Sequence, residues 1–286
     1  MLEDDFTDIV KKARMGQGLS LEAVARGAGL EVREVTALER GDRAPALVEA
    51  EAIANALKLR SAPLGDIAKG AWVPAAMPSS VAGGMTGVET VLGDIGGYAV
   101  KGYVVYDAEA KEAVLVDTAY NAQAMLRVLD RRGLRLTGIC LTHGHADHAD
   151  GIEQILRQRP VPVYLGHEDE SLLSWHPPRE RLAQPEDGRA ITVGRLTIRC
   201  LTTPGHTPGG ICYQVEGLDS PLCFVGDTLF AGSIGRSNPF GLYPVHLESV
   251  RRRVLRLPPA TLLLPGHGPP TTVREELVHN PFAESS

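Results

Sequence analysis

Cysteine and aromatic residues are both scarce in this chain. There are 4 cysteines, and Phe, Trp and Tyr together make up 5% of 286 residues. No two cysteines form a Cys-x-x-Cys pair, which removes the usual signature of a thiol zinc site or a dithiol redox centre. Cys140, Cys200, Cys212 and Cys223 each lie in an apolar run, so free buried thiols are expected. No apolar run approaches the length of a membrane span, so no membrane partner is expected. The start, Met1-Leu2-Glu3-Asp4-Asp5, is acidic and lacks the basic and apolar regions of a signal peptide, so the expected location is the cytoplasm. Positive charge is not in excess: the net charge of −6 gives no overall attraction to nucleic acid or an anionic bilayer. What remains is a soluble composition, 43% hydrophobic and 22% charged, long enough for two domains.

The first part, residues 1–68, is rich in Ala, Leu, Glu and Arg, and its spacing predicts a run of helices. One covers Asp8 to Met15. A second runs from Ser20, a good N-cap, to Ala28, with Gly29 as the turn. A third covers Glu31 to Arg40, places Val32, Val35 and Leu38 on one face, and stops at Gly41. A fourth follows Pro45 and carries Leu47, Ala50, Ile53, Ala54 and Leu57. Residues 69–86 lose this periodicity and contain Pro74, Pro78, Ser79, Ser80, Gly83 and Gly84, the composition of a linker. Trp72 within it is expected to dock on one of the flanking domains.

The helical order resembles the helix-turn-helix of the Cro and repressor family. The residues that carry the likeness are Leu19 to Ala25, Leu38 to Pro45 and Ile53 to Leu57. The resemblance implies double-stranded DNA as a partner, the helix 31–40 in the major groove, and a homodimer. Arg33, Arg40 and Arg43 are the candidate DNA contacts. Against it, residues 1–68 hold twelve acids and nine bases, so phosphate neutralisation contributes less affinity than usual. A bundle retained for dimerisation or protein contact is the alternative.

The chemistry of residues 87–286 gathers on Thr142-His143-Gly144-His145-Ala146-Asp147-His148. Leu136 to Leu141 before it reads as a buried strand. Gly151 to Gln158 after it reads as a helix with Ile152, Ile155 and Leu156 on one face. The cluster therefore sits on a strand-to-helix turn and can seed two metal half-sites. Three later pieces each follow an apolar run and place one metal-competent side chain beside a glycine: Gly205-His206, Gly226-Asp227 and Gly266-His267. Imidazole and carboxylate suit zinc first, and also iron or manganese. These side chains are too many for one tetrahedral ion and suit two divalent ions with a shared carboxylate. His167, Glu168, Asp169 and Glu170 read as decoration at the start of another helix, and His176, His246 and His279 as surface or capping residues.

This pattern, over roughly residues 87–286, resembles the metallo-β-lactamase superfamily and within it the glyoxalase II-like hydrolases. The fold class implied is α/β, an αββα sandwich preceded here by a small all-α bundle. The resemblance implies that His143, His145 and His206 hold one metal, that Asp147, His148 and His267 hold the second, and that Asp227 bridges both. It implies that Asp117 orients the ligand loop and that Phe230 to Arg236 borders the substrate, with Phe230, Ser233 and Arg236 as pocket candidates. After Arg236 the glyoxalase II-like pattern carries an Asp; this chain has Ser237-Asn238-Pro239-Phe240. Residues 268–286 are too few for the added helical region that grips glutathione.

Two adjacent metals can lower the pKa of a shared water from 15.7 toward about 7. A bridging hydroxide would then attack a carbonyl, one metal would steady the oxyanion, and Asp147 would orient the hydroxide. The resemblance implies a small-molecule thioester as substrate, which suits this chemistry because a thiolate leaves with little acid assistance. Two alternatives stand beside this: a transcriptional regulator whose metal domain senses or turns over an effector, and a mononuclear iron persulfide dioxygenase sharing the His-x-His-x-Asp-His loop.

Overall fold

The computed structural model describes residues 1–75 and 87–284. Two six-stranded sheets lie face to face. The first contains β1 (Val88–Ile95), β2 (Tyr98–Asp107), β3 (Glu112–Val116), β4 (Arg135–Cys140), β5 (Val163–Tyr164) and β6 (Leu182–Ala183), in that order. The second runs β12 (Thr271–Thr272), β11 (Leu262–Pro265), β10 (Leu222–Gly226), β9 (Ile211–Glu216), β8 (Leu196–Thr202) and β7 (Ala190–Val193). β1 and β2 form a hairpin whose Gly96 and Gly97 both hold positive φ, as a tight turn of this hand requires. β3, β4, β5 and β6 pair in parallel, as do β10 and β11.

Strand alternation distributes the side chains among three cores. Between the sheets, Val105, Val114 and Val116 meet Ile198, Tyr213, Val215 and Phe224. Outside the first sheet, Val104, Leu115 and Ile139 are covered by helices α6 (Ala122–Arg132) and α8 (Ile152–Gln158), with the short α7 (Ala146–Ala149) between them in sequence, through Met125, Leu129, Ile152 and Ile155. Asn121 caps α6, and Gly133 closes it at φ 61°. Outside the second sheet, Cys212, Cys223 and Val225 pack under α9 (Tyr243–Arg252) and α10 (Val273–His279). This is the expected αββα layering. All four cysteines are buried and free.

The helical part comprises α1 (Phe6–Gly16), α2 (Leu21–Ala28), α3 (Val32–Arg40), α4 (Leu47–Ala56) and α5 (Ser61–Ala68). Asp5 caps α1 with a capping box, Ser20 caps α2, and Gly29 and Gly41 close α2 and α3 in the left-handed region. Helix α5 is absent from the sequence reading, because Pro63 and Gly65 suppress its signal. Pro63 sits in the first turn, where its missing N–H costs nothing.

The bundle is not held by its tether alone. Ile9, Val10, Ala13, Ile53 and Leu64 share one core with Cys212, Val225, Val250 and Val273. Gly16 lies against the ring of Tyr243 with no room for a side chain. Arg60 donates to the carbonyl of Leu277 at 2.8 Å, and its amide donates to that of Pro281 at 2.9 Å. Trp72 stacks on His279 with ring centroids 4.7 Å apart, so it docks on the metal domain. Most of the expected linker, residues 76–86, lies outside the described residues. No helix among the described residues is long and apolar enough to cross a membrane.

One smaller expectation needs correction. His167–Leu172 is a 3-10 helix, not the start of an α-helix, and Asp169 within it is buried.

Candidate metal centre

The metal-competent side chains gather at one edge of the sandwich, where β4, β8, β10 and β11 end. His143, His145 and His206 bring ligand atoms within 4.8 Å of one another. So do His143, Asp147 and His148, and so do His148, Asp227 and His267. His145 Nδ1 faces His206 Nε2 at 3.1 Å, and His148 Nε2 faces His267 Nε2 at 3.4 Å. Asp227 lies between the groups, 3.3 Å from His148 Nε2, 3.7 Å from His206 Nε2 and 3.7 Å from His267 Nε2. Asp147 is 3.1 Å from His267 Nε2 and 3.6 Å from His148 Nε2.

The far ring nitrogens fix the tautomers. His148 Nδ1 donates to Asp117 at 2.9 Å, His206 Nδ1 to the Arg236 carbonyl at 2.8 Å, and His267 Nδ1 to the Ala99 carbonyl at 2.7 Å. Thr142 gives its hydroxyl proton to Asp117 at 2.8 Å and so accepts from His143 Nδ1 at 3.1 Å. The protons sit on the outside, and His143, His148, His206 and His267 turn Nε2 lone pairs inward. The His148 and His267 lone pairs, facing one another across 3.4 Å, do not satisfy each other; they converge as ligands around a cation do. His143 Nε2 and Asp227 Oδ1 are buried without any hydrogen-bond partner. Orphaned buried acceptors of this kind are costly and call for a missing cation. The residues present fit divalent metal ions.

Electrostatics agree. Burial and the neighbouring imidazoles hold His143 well below the ordinary imidazole range, and burial pushes His206 down to about 3. Burial also opposes charge on His148, but the Asp227 and Asp117 carboxylates override it and raise its pKa well above the ordinary value. Burial opposes charge on Asp227 as well, yet the imidazoles keep it well below the ordinary carboxylate range. His143 and His206 are thus held neutral beside an ionised Asp227, as ligation requires, while the proton that the two carboxylates draw onto His148 is one a bound cation would displace.

Asp117 sits behind the cluster at φ 56°, and its carboxylate also accepts from the Thr142 amide at 2.7 Å. Phe230 is buried, edge-on to His267 with centroids 6.0 Å apart. Ser233 is fully buried and gives its hydroxyl proton to Asp4, so it faces the helical bundle. Arg236 is exposed beside the site, and it is its carbonyl that touches His206.

Two residues set aside in the sequence matter here. Asp169 accepts from the Gly144 amide at 3.1 Å, the Thr207 hydroxyl at 2.6 Å and the Gly209 amide at 2.7 Å, tying the loop of His143 to the loop of His206. His246, expected at the surface, is fully buried. It donates from Nε2 to the Thr228 carbonyl at 2.8 Å and accepts from Ser237 at 3.1 Å, steadying the chain next to Asp227. Its position on the inward face of α9 with Tyr243 and Val250 was legible from helical spacing.

The exposed part of the helical bundle includes Arg33 and Arg40 on α3 and Arg43 just after it. Arg43 is held in a two-pronged pair with Glu49, at 2.7 and 2.5 Å. Glu39 pairs with Arg14, and Glu34 caps the amide of Glu31 at 2.8 Å, so two of the acids on α3 are committed locally.

Fold and site define the class: the chain belongs to the metallo-beta-lactamase superfamily, whose family model matches residues 95–267. A helix-turn-helix model matches residues 10–64. The chain is a distant homologue of glyoxalase II. It is 29% identical over 197 residues to the hydroxyacylglutathione hydrolase GloC of Haemophilus influenzae, covering 64% of this chain and 92% of that protein. The crystal structure of the BLEG-1 B3 metallo-beta-lactamase is 30% identical, with a TM-score of 0.61 over 68% of this chain and 98% of that one. The structure of TTHA1623 in a di-iron-bound form is also 30% identical, with a TM-score of 0.56 over 68% and 99%. The chain is thus a metal-dependent hydrolase of this superfamily carrying a helix-turn-helix module, with His and Asp clusters that match a two-ion centre.

Proposed function

We propose that residues 87–286 hydrolyse a thioester and that residues 1–68 read double-stranded DNA. The hydrolase rests above all on the orphaned His143 Nε2 and Asp227 Oδ1 inside a ring of inward lone pairs. In this assignment His143, His145 and His206 hold one ion, Asp147, His148 and His267 hold the other, and Asp227 lies between them. Zinc fits this donor set first, and iron or manganese could use it. Such ions supply an acidified water and a polarised acyl carbonyl. The chain supplies the geometry. Asp117, Arg236 and Ala99 fix the imidazoles through their outer nitrogens, and Asp147, whose side chain is 22% exposed, can accept a hydrogen bond from an incoming water. The thioester is favoured by the likeness to GloC and by the low basicity of a thiolate leaving group, since no protonated acid is needed at the leaving atom.

The test is turnover of S-lactoylglutathione, simple acyl thioesters and a penicillin by protein of measured metal content, beside His145→Ala and Asp227→Ala. Thioester cleavage abolished in both variants is the expected result. Protein carrying two metal equivalents that cleaves no thioester refutes it, and penicillin turnover alone would move the substrate to a lactam.

A further inference from the structure

The helical bundle reaches the metal centre through the strap that follows Asp227. Lys12 on α1 pairs with Asp4; their side chains are only 16% and 7% exposed. Lys12 Nζ also donates to the Ile234 carbonyl at 3.0 Å and sits 5.0 Å from the centre of the Phe230 ring. Ser233 donates to Asp4 from the strap itself. On the opposite side, Glu276 of α10 accepts the Gly232 amide at 3.0 Å, and Asn280 donates to the Ser233 carbonyl at 3.0 Å. Residues 232–234 are therefore gripped between α10 and the N-terminal segment. The next residues bear on the cluster. Gly235 lies against the Asp227 carbonyl and His206 Nδ1 with no room for a side chain, and the Arg236 carbonyl holds His206 Nδ1.

We infer that Asp4 and Lys12 are positioning residues for the metal centre, delivered by the helix-turn-helix module. They hold Ser233 and Ile234, and through them the Arg236 carbonyl that keeps His206 Nε2 turned toward the cluster. The inference rests on His206 being a metal ligand, and it is independent of which acyl group is cleaved. It has a reciprocal consequence: metal binding that fixes His206 also steadies α1, and loosening α1 weakens metal binding by the same factor.

A pair that merely glued the two halves together would lower stability and leave metal affinity alone. Zinc competition with a chromophoric chelator on the full chain separates the cases, with amide hydrogen exchange over residues 4–16 as a readout that needs no turnover. Partners behind metal ligands are typically worth about 10–100-fold in affinity. Lys12 acts one link further out, so Lys12→Met should weaken zinc by about tenfold, at the low end of that range. Lys12→Arg, which keeps a cationic donor, should stay nearer wild type. Zinc should slow exchange in α1 of the wild type and not in Lys12→Met. Ser233→Ala deletes a single hydroxyl and should weaken zinc in the same direction, which keeps the test open if Lys12→Met fails to fold. Wild-type zinc affinity in folded Lys12→Met or in Ser233→Ala overturns the inference. Full coupling without thioester turnover would refute the proposed substrate and leave this inference standing.

Discussion

Asp169 is the side chain whose removal should disturb the metal centre most without touching a metal-competent residue. It is fully buried, and its two oxygens take three donors: Gly209 N on one, Gly144 N and the Thr207 hydroxyl on the other. Asp169→Ala strands two buried amides, each at about 1–3 kcal/mol, while the Thr207 hydroxyl can rotate to another acceptor. Adding the lost hydrogen bond energy and a small cavity gives about 3–5 kcal/mol, a large effect for one residue. Asp169→Asn is milder. Whichever way its amide faces, its NH2 group confronts one backbone amide, but with the oxygen toward Gly209 the rotated Thr207 hydroxyl can accept from it. One amide bond is then lost, at about 1–3 kcal/mol. Urea unfolding of the zinc-free protein reads both, with the midpoint falling and the slope unchanged. Zinc affinity should fall in the same order, since the loops of His143 and His206 lose their common anchor. An Ala variant within about 1 kcal/mol of wild type would refute the reasoning, because no set of unmet buried donors could be so cheap.

Two further predictions concern other parts of the molecule. Burial pushes the Glu276 carboxyl up to about 7, against the opposing donors Asn280, Thr271 and Gly232. A raised folded-state pKa means that the folded protein binds the proton more tightly than the unfolded chain, so this group's contribution is full below about 4.5 and lost as pH rises through about 7. Wild type should lose about 3 kcal/mol of stability between pH 5 and pH 8 relative to Glu276→Gln, as urea unfolding at the two pH values reads out; parallel losses in both proteins would refute it. On the helical side, Arg33→Ala and Arg40→Ala should each weaken binding to duplex DNA and flatten its salt dependence by about one unit of slope, measured by fluorescence anisotropy. Arg43→Ala should do less, because its guanidinium is engaged by Glu49; equal effects at all three positions would contradict the geometry.

The metal cluster could be read in the sequence because the histidine-rich loop and the three later pieces each follow an apolar run that stops abruptly, and His206, Asp227 and His267 each stand beside a glycine. The bundle could be read because Ser20, Gly29 and Gly41 punctuate it. Other features leave weaker traces. Among His167, Glu168, Asp169 and Glu170 nothing local says which acid turns inward; that is decided by Gly144 and Gly209, whose lack of side chains lets the carboxylate approach two amides. Helix α5 hides behind Pro63 and Gly65, and its stability comes from burial of Leu64 and Ile67 against the rest of the bundle. The union of bundle and sandwich is a property of two surfaces far apart in the chain. Its one local hint is the early Asp4, a buried acid whose partners are Lys12, in the next helix, and Ser233, over two hundred residues away.

The shared core also divides the helix-turn-helix into parts with different freedom to change. Helix α1 has to fit the bundle on one side and the strap beside Asp227 on the other, so a substitution there is tried against two folds at once. The outward face of α3 has no such obligation: Arg33 and Arg40 stand exposed on it. Mutations on that face can therefore accumulate without disturbing the metal centre, whereas a change in α1 is felt by both halves. If residues 1–68 read DNA as proposed, the sequence they read could change far more readily than the bundle could be parted from the metal domain.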